Sequence, residues 1–105
     1  MTYAIVWRYR VPAPSMDAFE RAYGPHGAWV ELFRGFPGFL ATELMRADEP
    51  GVYLTIDRWA SAAAYEAFLR AAGAEYERLD GELASLTEAE ELVARGAQVE
   101  GAPAG

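Results

Sequence analysis

Apolar residues alternate with other residues along the first segment of the chain, from Tyr3 to Val11. Every odd-numbered position in it is apolar or aromatic, and Arg8 and Arg10 occupy even positions. A period of two is typical of a β-strand, because successive side chains point to opposite faces. Pro12 follows directly and cannot continue a sheet ladder. This pattern predicts a first strand over Tyr3 to Val11.

Two further segments, Phe39 to Ala47 and Val52 to Trp59, also alternate. Asp48-Glu49-Pro50-Gly51 separates them, and Pro-Gly is typical of a tight turn. The two segments are therefore predicted to form a hairpin. Simple alternation in the first of them would place Leu40, Thr42 and Leu44 opposite Phe39.

Helical spacing connects the predicted strands. Met16, Phe19 and Tyr23 recur at three and four residues, and Ser15 is a candidate N-cap. Gly24-Pro25-His26-Gly27 interrupts the helix, which resumes near Ala28 and ends at Gly35. The first helical region is thus predicted to be two short helices joined by an elbow.

A longer helix is predicted after Ser61, with apolar residues at helical spacing from Tyr65 to Leu83. Ser61 is its candidate N-cap, and Gly73 and Gly81 are positions where it is weak. A last strand is predicted from Glu88 to about Val99. The resulting βαββαβ order predicts a ferredoxin-like α+β fold, a four-stranded antiparallel sheet with its helices on one face.

The helix-free face of such a sheet would carry large apolar side chains. Contiguous apolar surface predicts a partner, and a two-fold homodimer through the sheet faces is the simplest closure. Ile5 and Leu54 are predicted to belong to that open face.

Composition limits the classes of function. The chain has 105 residues, which fits one domain, predicted over 1–100 with a disordered tail over 101–105. No apolar run approaches the roughly 20 residues of a membrane span, and the start lacks signal-peptide features, so a cytoplasmic location is predicted. The net charge of -7 argues against nucleic-acid and membrane partners.

Missing residue types exclude several chemistries. The sequence has no Cys, no Lys and no Asn, and His26 is its only histidine. Thiolate nucleophiles, Schiff bases to lysine and metal sites with several histidines from one chain are therefore excluded. No acidic cluster suggests a metal site either, and none is predicted.

Two motifs carry a resemblance to a known family. One is the turn Gly35-Phe36-Pro37-Gly38-Phe39 after a helix; the other is Tyr53-Leu54-Thr55-Ile56-Asp57-Arg58-Trp59-Ala60-Ser61 before a helix. With them the chain, from Tyr3 to about Arg95, resembles the antibiotic biosynthesis monooxygenase domain, one of the families that form dimeric α+β barrels.

The resemblance implies a function for a pocket between sheet and helices. In the family's oxygenase members an electron-rich quinol or anthrone binds there, loses a proton and reduces O₂ itself, without flavin, metal or other cofactor. Candidate substrate-binding walls share aromatic rings on the predicted strands and helices: Trp7, Tyr9, Trp29, Phe33, Phe39, Tyr53, Trp59 and Tyr65. Each of these could instead be core, and Trp59 could be a structural anchor.

His26 and Arg58 are the candidate catalytic residues. His26 titrates near neutral pH and could take the phenolic proton, and Arg58 could stabilise the resulting anion. The alternatives are an exposed loop histidine and an arginine paired with Glu43, with Asp57 or with acidic residues of a partner subunit.

The chain also departs from the family. Several family enzymes rely on an asparagine, and this chain has none. Residues 62–84 contain no histidine, which argues against haem degradation through an axial histidine. The sequence therefore leaves three functions open: an oxygenase, a non-catalytic dimeric barrel that binds a small apolar ligand or a regulatory partner, and an isomerase or lyase.

Overall fold

The computed structural model describes residues 1–99 and contains one four-stranded antiparallel sheet within them. The tail predicted over 101–105 lies outside the described residues. The elements in chain order are β1 (Tyr3–Arg10), α1 (Met16–Tyr23), α2 (Ala28–Phe33), β2 (Phe39–Arg46), β3 (Val52–Trp59), α3 (Ala62–Ala71), α4 (Gly73–Leu83) and β4 (Ala89–Ala97). The strands lie side by side in the order β2-β3-β1-β4, and the ferredoxin-like prediction is confirmed.

The helices begin and end close to the predicted positions. Ser61 Oγ accepts a hydrogen bond of 3.1 Å from the Ala64 amide and so caps α3. Ser15 makes no side-chain cap, because it belongs to a short 3-10 turn before α1. The long second helix divides before Gly73, whereas Gly81 lies within α4. No helix within residues 1–99 is long and apolar enough to cross a membrane.

A β-bulge at Leu40 changes which side chains of β2 face the helices. Phe39 pairs with Trp59, and the register then shifts so that Thr42 pairs with Asp57. Phe39 and Thr42 therefore lie on the same face, and the predicted alternation of Thr42 opposite Phe39 is wrong. A bulge adds one residue to a strand and reverses the facing of everything beyond it.

The open face of the sheet carries the even-numbered residues of β1 and β3. Leu54 belongs to it, opposite Arg8 on β1 and Met45 on β2. Ile5 does not: it is 1% exposed and belongs to the aromatic core between sheet and helices. The prediction that Ile5 lies on the open face is wrong, because the odd-numbered side chains of β1 point to the helices.

Candidate functional site

A pocket opens between the helix-covered face of the sheet and helices α1, α2 and α4. Its walls are aromatic, and polar side chains lie between them. The lining residues are Trp7, Tyr9, Tyr23, Trp29, Phe33, Thr42, Thr55, Asp57, Tyr76, Asp80 and Glu90. The rings of Trp29 and Tyr76, 4.9 Å apart between centroids, join α2 to α4 beside it.

Asp57 is the chemically distinctive group of this pocket. Its Oδ1 accepts a hydrogen bond of 2.7 Å from Thr42 Oγ1 on the neighbouring strand. Within residues 1–99 no other side chain donates to it. Burial raises the pKa of Asp57 from 3.8 to about 6, and the bond from Thr42 offsets part of that rise. Asp57 is therefore mostly a carboxylate at pH 7, yet it is much more basic than an ordinary aspartate.

The phenols of the pocket remain protonated near neutral pH. Burial raises the pKa of Tyr23 to about 12, and it raises the pKa of Tyr9 and Tyr76 as well. These rings can shape a site and donate hydrogen bonds. They cannot take a proton from a ligand, so proton transfer in the pocket falls to its carboxylates.

Two buried polar atoms of the lining, Thr55 Oγ1 and Trp29 Nε1, have no hydrogen-bond partner among residues 1–99. Thr55 is 3% exposed and Trp29 is 8% exposed. Thr55 lies close enough to Tyr9, and Trp29 close enough to Tyr23, to lower the pKa of each phenol, although neither pair has hydrogen-bond geometry. Unpaired buried polar groups cost free energy, and a ligand or an ordered water would satisfy them.

The pocket is nearly closed in this conformation. The volume open to the centre of a water molecule is about 30 Å³, room for one or two waters. An aromatic ligand can enter only if the surrounding side chains move.

The predicted aromatic walls divide into two groups. Trp7, Tyr9, Trp29 and Phe33 line the pocket, and the substrate-binding role predicted for them remains a prediction. Trp59 and Tyr65 are packed in the core behind it, where the ring of Trp59 contacts Phe33 at 5.8 Å between centroids. These two residues pack against residues that line the pocket but do not line it themselves.

Tyr53 and Phe39 also lie outside the pocket. The Tyr53 hydroxyl donates to Glu20 at 2.5 Å, and Arg46 makes two further bonds to the same carboxylate. Arg46 holds the pKa of Glu20 at about 2, with help from Tyr53. Phe39 lines a separate groove with His26.

His26 and Arg58 are not brought together. His26 is exposed at the elbow between α1 and α2 and lines that groove, which meets the pocket only at Thr42. Arg58 lies on the open face of the sheet, where its Nε bonds to Glu43 Oε1 at 2.7 Å and its Nη1 bonds to Gln98. The catalytic roles predicted for them remain predictions.

Sequence reasoning missed Asp57, Asp80 and Glu90 as pocket residues. Asp57 stands in the strand motif two residues before Trp59, so alternation places the two side chains on one face but does not say that the helices cover that face. Asp80 and Glu90 lie on α4 and β4. No local signal indicates that these two face the same pocket.

Solved structures resemble the chain over nearly its whole length. SnoaB, a cofactor-independent oxygenase from Streptomyces nogalater, is 21% identical with a TM-score of 0.71 over 98% of both chains. A candidate antibiotic biosynthesis monooxygenase from Deinococcus radiodurans is 14% identical with a TM-score of 0.72, over 99% of this chain and 98% of that chain. At these identities the likeness shows the fold alone.

Sequence comparison gives the family. No curated protein matches the chain. The sequence profile of the antibiotic biosynthesis monooxygenase family matches residues 2–75, more than half of the chain. The protein therefore belongs to the antibiotic biosynthesis monooxygenase family.

Proposed function

We propose that the protein is a cofactor-independent monooxygenase that oxidises a small aromatic quinol or anthrone with O₂, and that Asp57 is its general base. The observation that carries the proposal is a half-buried carboxylate whose pKa is raised to about 6, in a pocket walled by aromatic rings. General bases are most effective when their pKa lies near the working pH. Family membership and the fold shared with SnoaB support the reaction type.

The proposed reaction needs no reactant beyond the substrate and O₂. The Asp57 carboxylate takes a proton from the substrate CH or OH, and the resulting anion gives one electron to O₂. The substrate radical and superoxide combine to form a C–O bond, and the proton held by Asp57 completes a hydroperoxide. Breaking the O–O bond, with loss of the second hydrogen as a proton, leaves a carbonyl and one water. The aromatic walls exclude bulk water from the anion.

Oxygen uptake tests the proposal. The wild-type protein should consume O₂ with an anthrone or quinol well above the rate of autoxidation, with product and oxygen in equal amounts. No rate above autoxidation with either substrate would contradict the oxygenase proposal.

His26→Ala and Arg58→Ala test the two residues that the sequence favoured. Because neither side chain lies in the pocket, we expect each variant to change kcat/KM by less than about threefold. Oxygen uptake against the wild type is the measurement. A loss of about a hundredfold in either variant would restore that residue as catalytic, and such a loss in His26→Ala would also contradict Asp57 as the general base.

A second function is also consistent with the small volume of the pocket. About 30 Å³ suits an oxygenase whose pocket opens for its substrate, and it equally suits a non-catalytic barrel that holds a small apolar ligand. Native mass spectrometry of the purified protein separates the two: a retained organic ligand with no oxygen uptake favours binding.

We also propose that two copies associate through the open faces of their sheets. Val6, Leu54 and Ile56 are half-buried there, and Met45 is 49% exposed. Charged side chains of both signs, including Arg8 and Glu43, lie on the same face. A two-fold axis would cover the apolar centre and could set opposite charges against each other.

Leu54→Asp is expected to weaken this dimer strongly. The substitution would bury an unpaired carboxylate in the proposed interface. Analytical ultracentrifugation should show a monomer where the wild type is a dimer. Ala63→Asp, which adds the same charge to an exposed position of α3, is the control and should leave the dimer intact. A dimeric Leu54→Asp variant would place the interface elsewhere.

A further inference from the structure

The aromatic pocket has an unbalanced negative charge. Asp57, Asp80 and Glu90 line it, and within the described residues no arginine or histidine does. The faces of aromatic rings also carry negative partial charge. Burial, and then the nearby charge of Asp80, raises the pKa of Glu90, so the two acids interact across the gap between α4 and β4.

The protein itself does not neutralise these acids. None of the ion pairs within residues 1–99 includes Asp57, Asp80 or Glu90. Nor, within that range, do three acidic or histidine side chains converge closely enough to hold a metal ion. The charge is therefore available to a ligand.

The unpaired atoms give a second and independent indication of a ligand. Thr55 Oγ1 and Trp29 Nε1 are fully buried in the lining without partners. A hydroxyl can accept or donate a hydrogen bond, and an indole N–H can only donate. A ring that carries a hydroxyl or carbonyl oxygen would satisfy both.

We propose that the pocket selects an aromatic ligand that bears a protonated amine, with the ammonium at Asp80 and Glu90 and the ring toward Asp57. Carboxylates and ring faces both attract a cation, whereas an anionic ligand would meet repulsion from every acid of the lining. The cation would also offset the negative charge that develops when the ring loses a proton. The inference rests on the proposed function only in the position of the ring beside Asp57.

Three phenols that share a two-carbon linker and have tails of different charge test the proposal. Tyramine carries a cation, 4-ethylphenol is neutral, and 3-(4-hydroxyphenyl)propionate carries an anion. Isothermal titration at pH 7.5 should show tyramine binding at least about tenfold more tightly than 4-ethylphenol, and the propionate more weakly than both. Raising the salt concentration should narrow the difference. Equal or reversed affinities, or no binding of tyramine, would overturn the proposal.

Variants of Asp80 and Glu90 test which side chains cause the preference for a cationic tail. Asp80→Asn and Glu90→Gln should each reduce the preference for tyramine over 4-ethylphenol, and the double variant should bring it below about threefold. Glu91→Gln is the matched control, because Glu91 is the next residue of β4 but pairs with Arg8 on the open face. If the folded double variant still prefers tyramine to the same degree, Asp80 and Glu90 do not hold the ammonium group.

The outcomes separate this inference from the oxygenase proposal. Oxygen uptake with a neutral anthrone tests the oxygenase, and the tail-charge series tests the selectivity of the pocket. If the protein prefers the cationic phenol but shows no oxygen uptake, it is a barrel that binds aromatic cations without oxidising a substrate. If it shows oxygen uptake but no preference for the cationic phenol, it is an oxygenase whose pocket does not select for a charged ligand.

Discussion

Replacing Asp57 by Asn should abolish oxygen uptake and at the same time make the protein more stable above pH 7. Asn has the size of Asp and can still accept the hydrogen bond from Thr42, but it cannot take a proton. Loss of a general base lowers rates by about 10²- to 10⁴-fold. We expect kcat to fall by that factor with little change in KM, measured by oxygen uptake with a saturating anthrone.

The stability gain follows from the raised pKa. The folded protein binds the Asp57 proton more tightly than the unfolded chain, so stability falls as the pH rises from 3.8 to about 6. Above that range the full cost of burying the charge is present, about 3 kcal/mol for this difference in pKa. Asp57→Asn should recover about 1–3 kcal/mol at pH 8, and the difference should vanish near pH 4. Urea unfolding at the two pH values measures it.

The activity of the wild type should have the matching pH dependence. Protonated Asp57 cannot act as a base, so kcat should fall as the pH drops through about 6. The titratable groups that interact with Asp57 from β1, α3 and α4 are Tyr9, Tyr65 and Tyr76, and burial raises the pKa of each. They stay neutral in this range, so the carboxyls of the pocket set the profile on the acid side: Asp57, and Glu90, whose pKa is also raised.

Asp48→Asn is the control for this experiment, because Asp48 is exposed in the β2–β3 turn and should affect neither activity nor stability. An Asp57→Asn variant that is folded and retains more than about a tenth of the wild-type kcat would contradict the role of Asp57 as base. An Asp57→Asn variant less stable than the wild type at pH 8 would show that the carboxylate is stabilising where it lies.

Replacing Gly38 by Ala should destabilise the fold by about 2–5 kcal/mol. Gly38 has a φ of 91°, and a Cβ on it would lie 2.6 Å from the Cβ of Ala64 on α3. Positive φ costs a non-glycine residue about 1–2 kcal/mol, and the contact would force α3 away from the turn that begins β2. Its carbonyl accepts a 2.7 Å bond from Ala60, which that shift would strain. Urea unfolding measures the loss.

Gly81→Ala is the matched control and should have the opposite sign. Gly81 lies within α4 with nothing within 4 Å of its Cβ position and no positive φ, so alanine should stabilise the helix by about 0.5–1 kcal/mol. Adding Ala64→Gly to Gly38→Ala removes the steric part of the cost but not the part due to φ. A double-mutant cycle without coupling between the two positions would show that the contact is unimportant.

Most of the fold could be predicted from the sequence because its signals are local. The alternation in β1, the Pro-Gly turn before β3, and the elbow at Gly24-Pro25-His26-Gly27 each depend on a few neighbouring residues. The motif from Tyr53 to Ser61 indicated the family, and Ser61 caps α3 as predicted. Backbone preferences act over one or two turns of chain, so these features did not need tertiary contacts.

The residues of the candidate site could be identified only from the tertiary structure. The bulge at Leu40 places Thr42 beside Asp57, and nothing in the local pattern of β2 indicates where the extra residue falls. A bulge is set by packing across strands, and one residue of register reverses every side chain beyond it. The same limit applies to Asp80 and Glu90, which line the same pocket as Asp57 only because the fold brings α4 and the edge strand β4 to it.

The sequence by itself thus determined the elements, their order, the family and four of the six aromatic residues that line the pocket. Only the tertiary structure decided that Asp57, rather than His26 or Arg58, faces the pocket. Alternation assigns a strand residue to one of two faces but does not say what covers either face. Burial then gives Asp57 the basicity that no aspartate has in an unfolded chain.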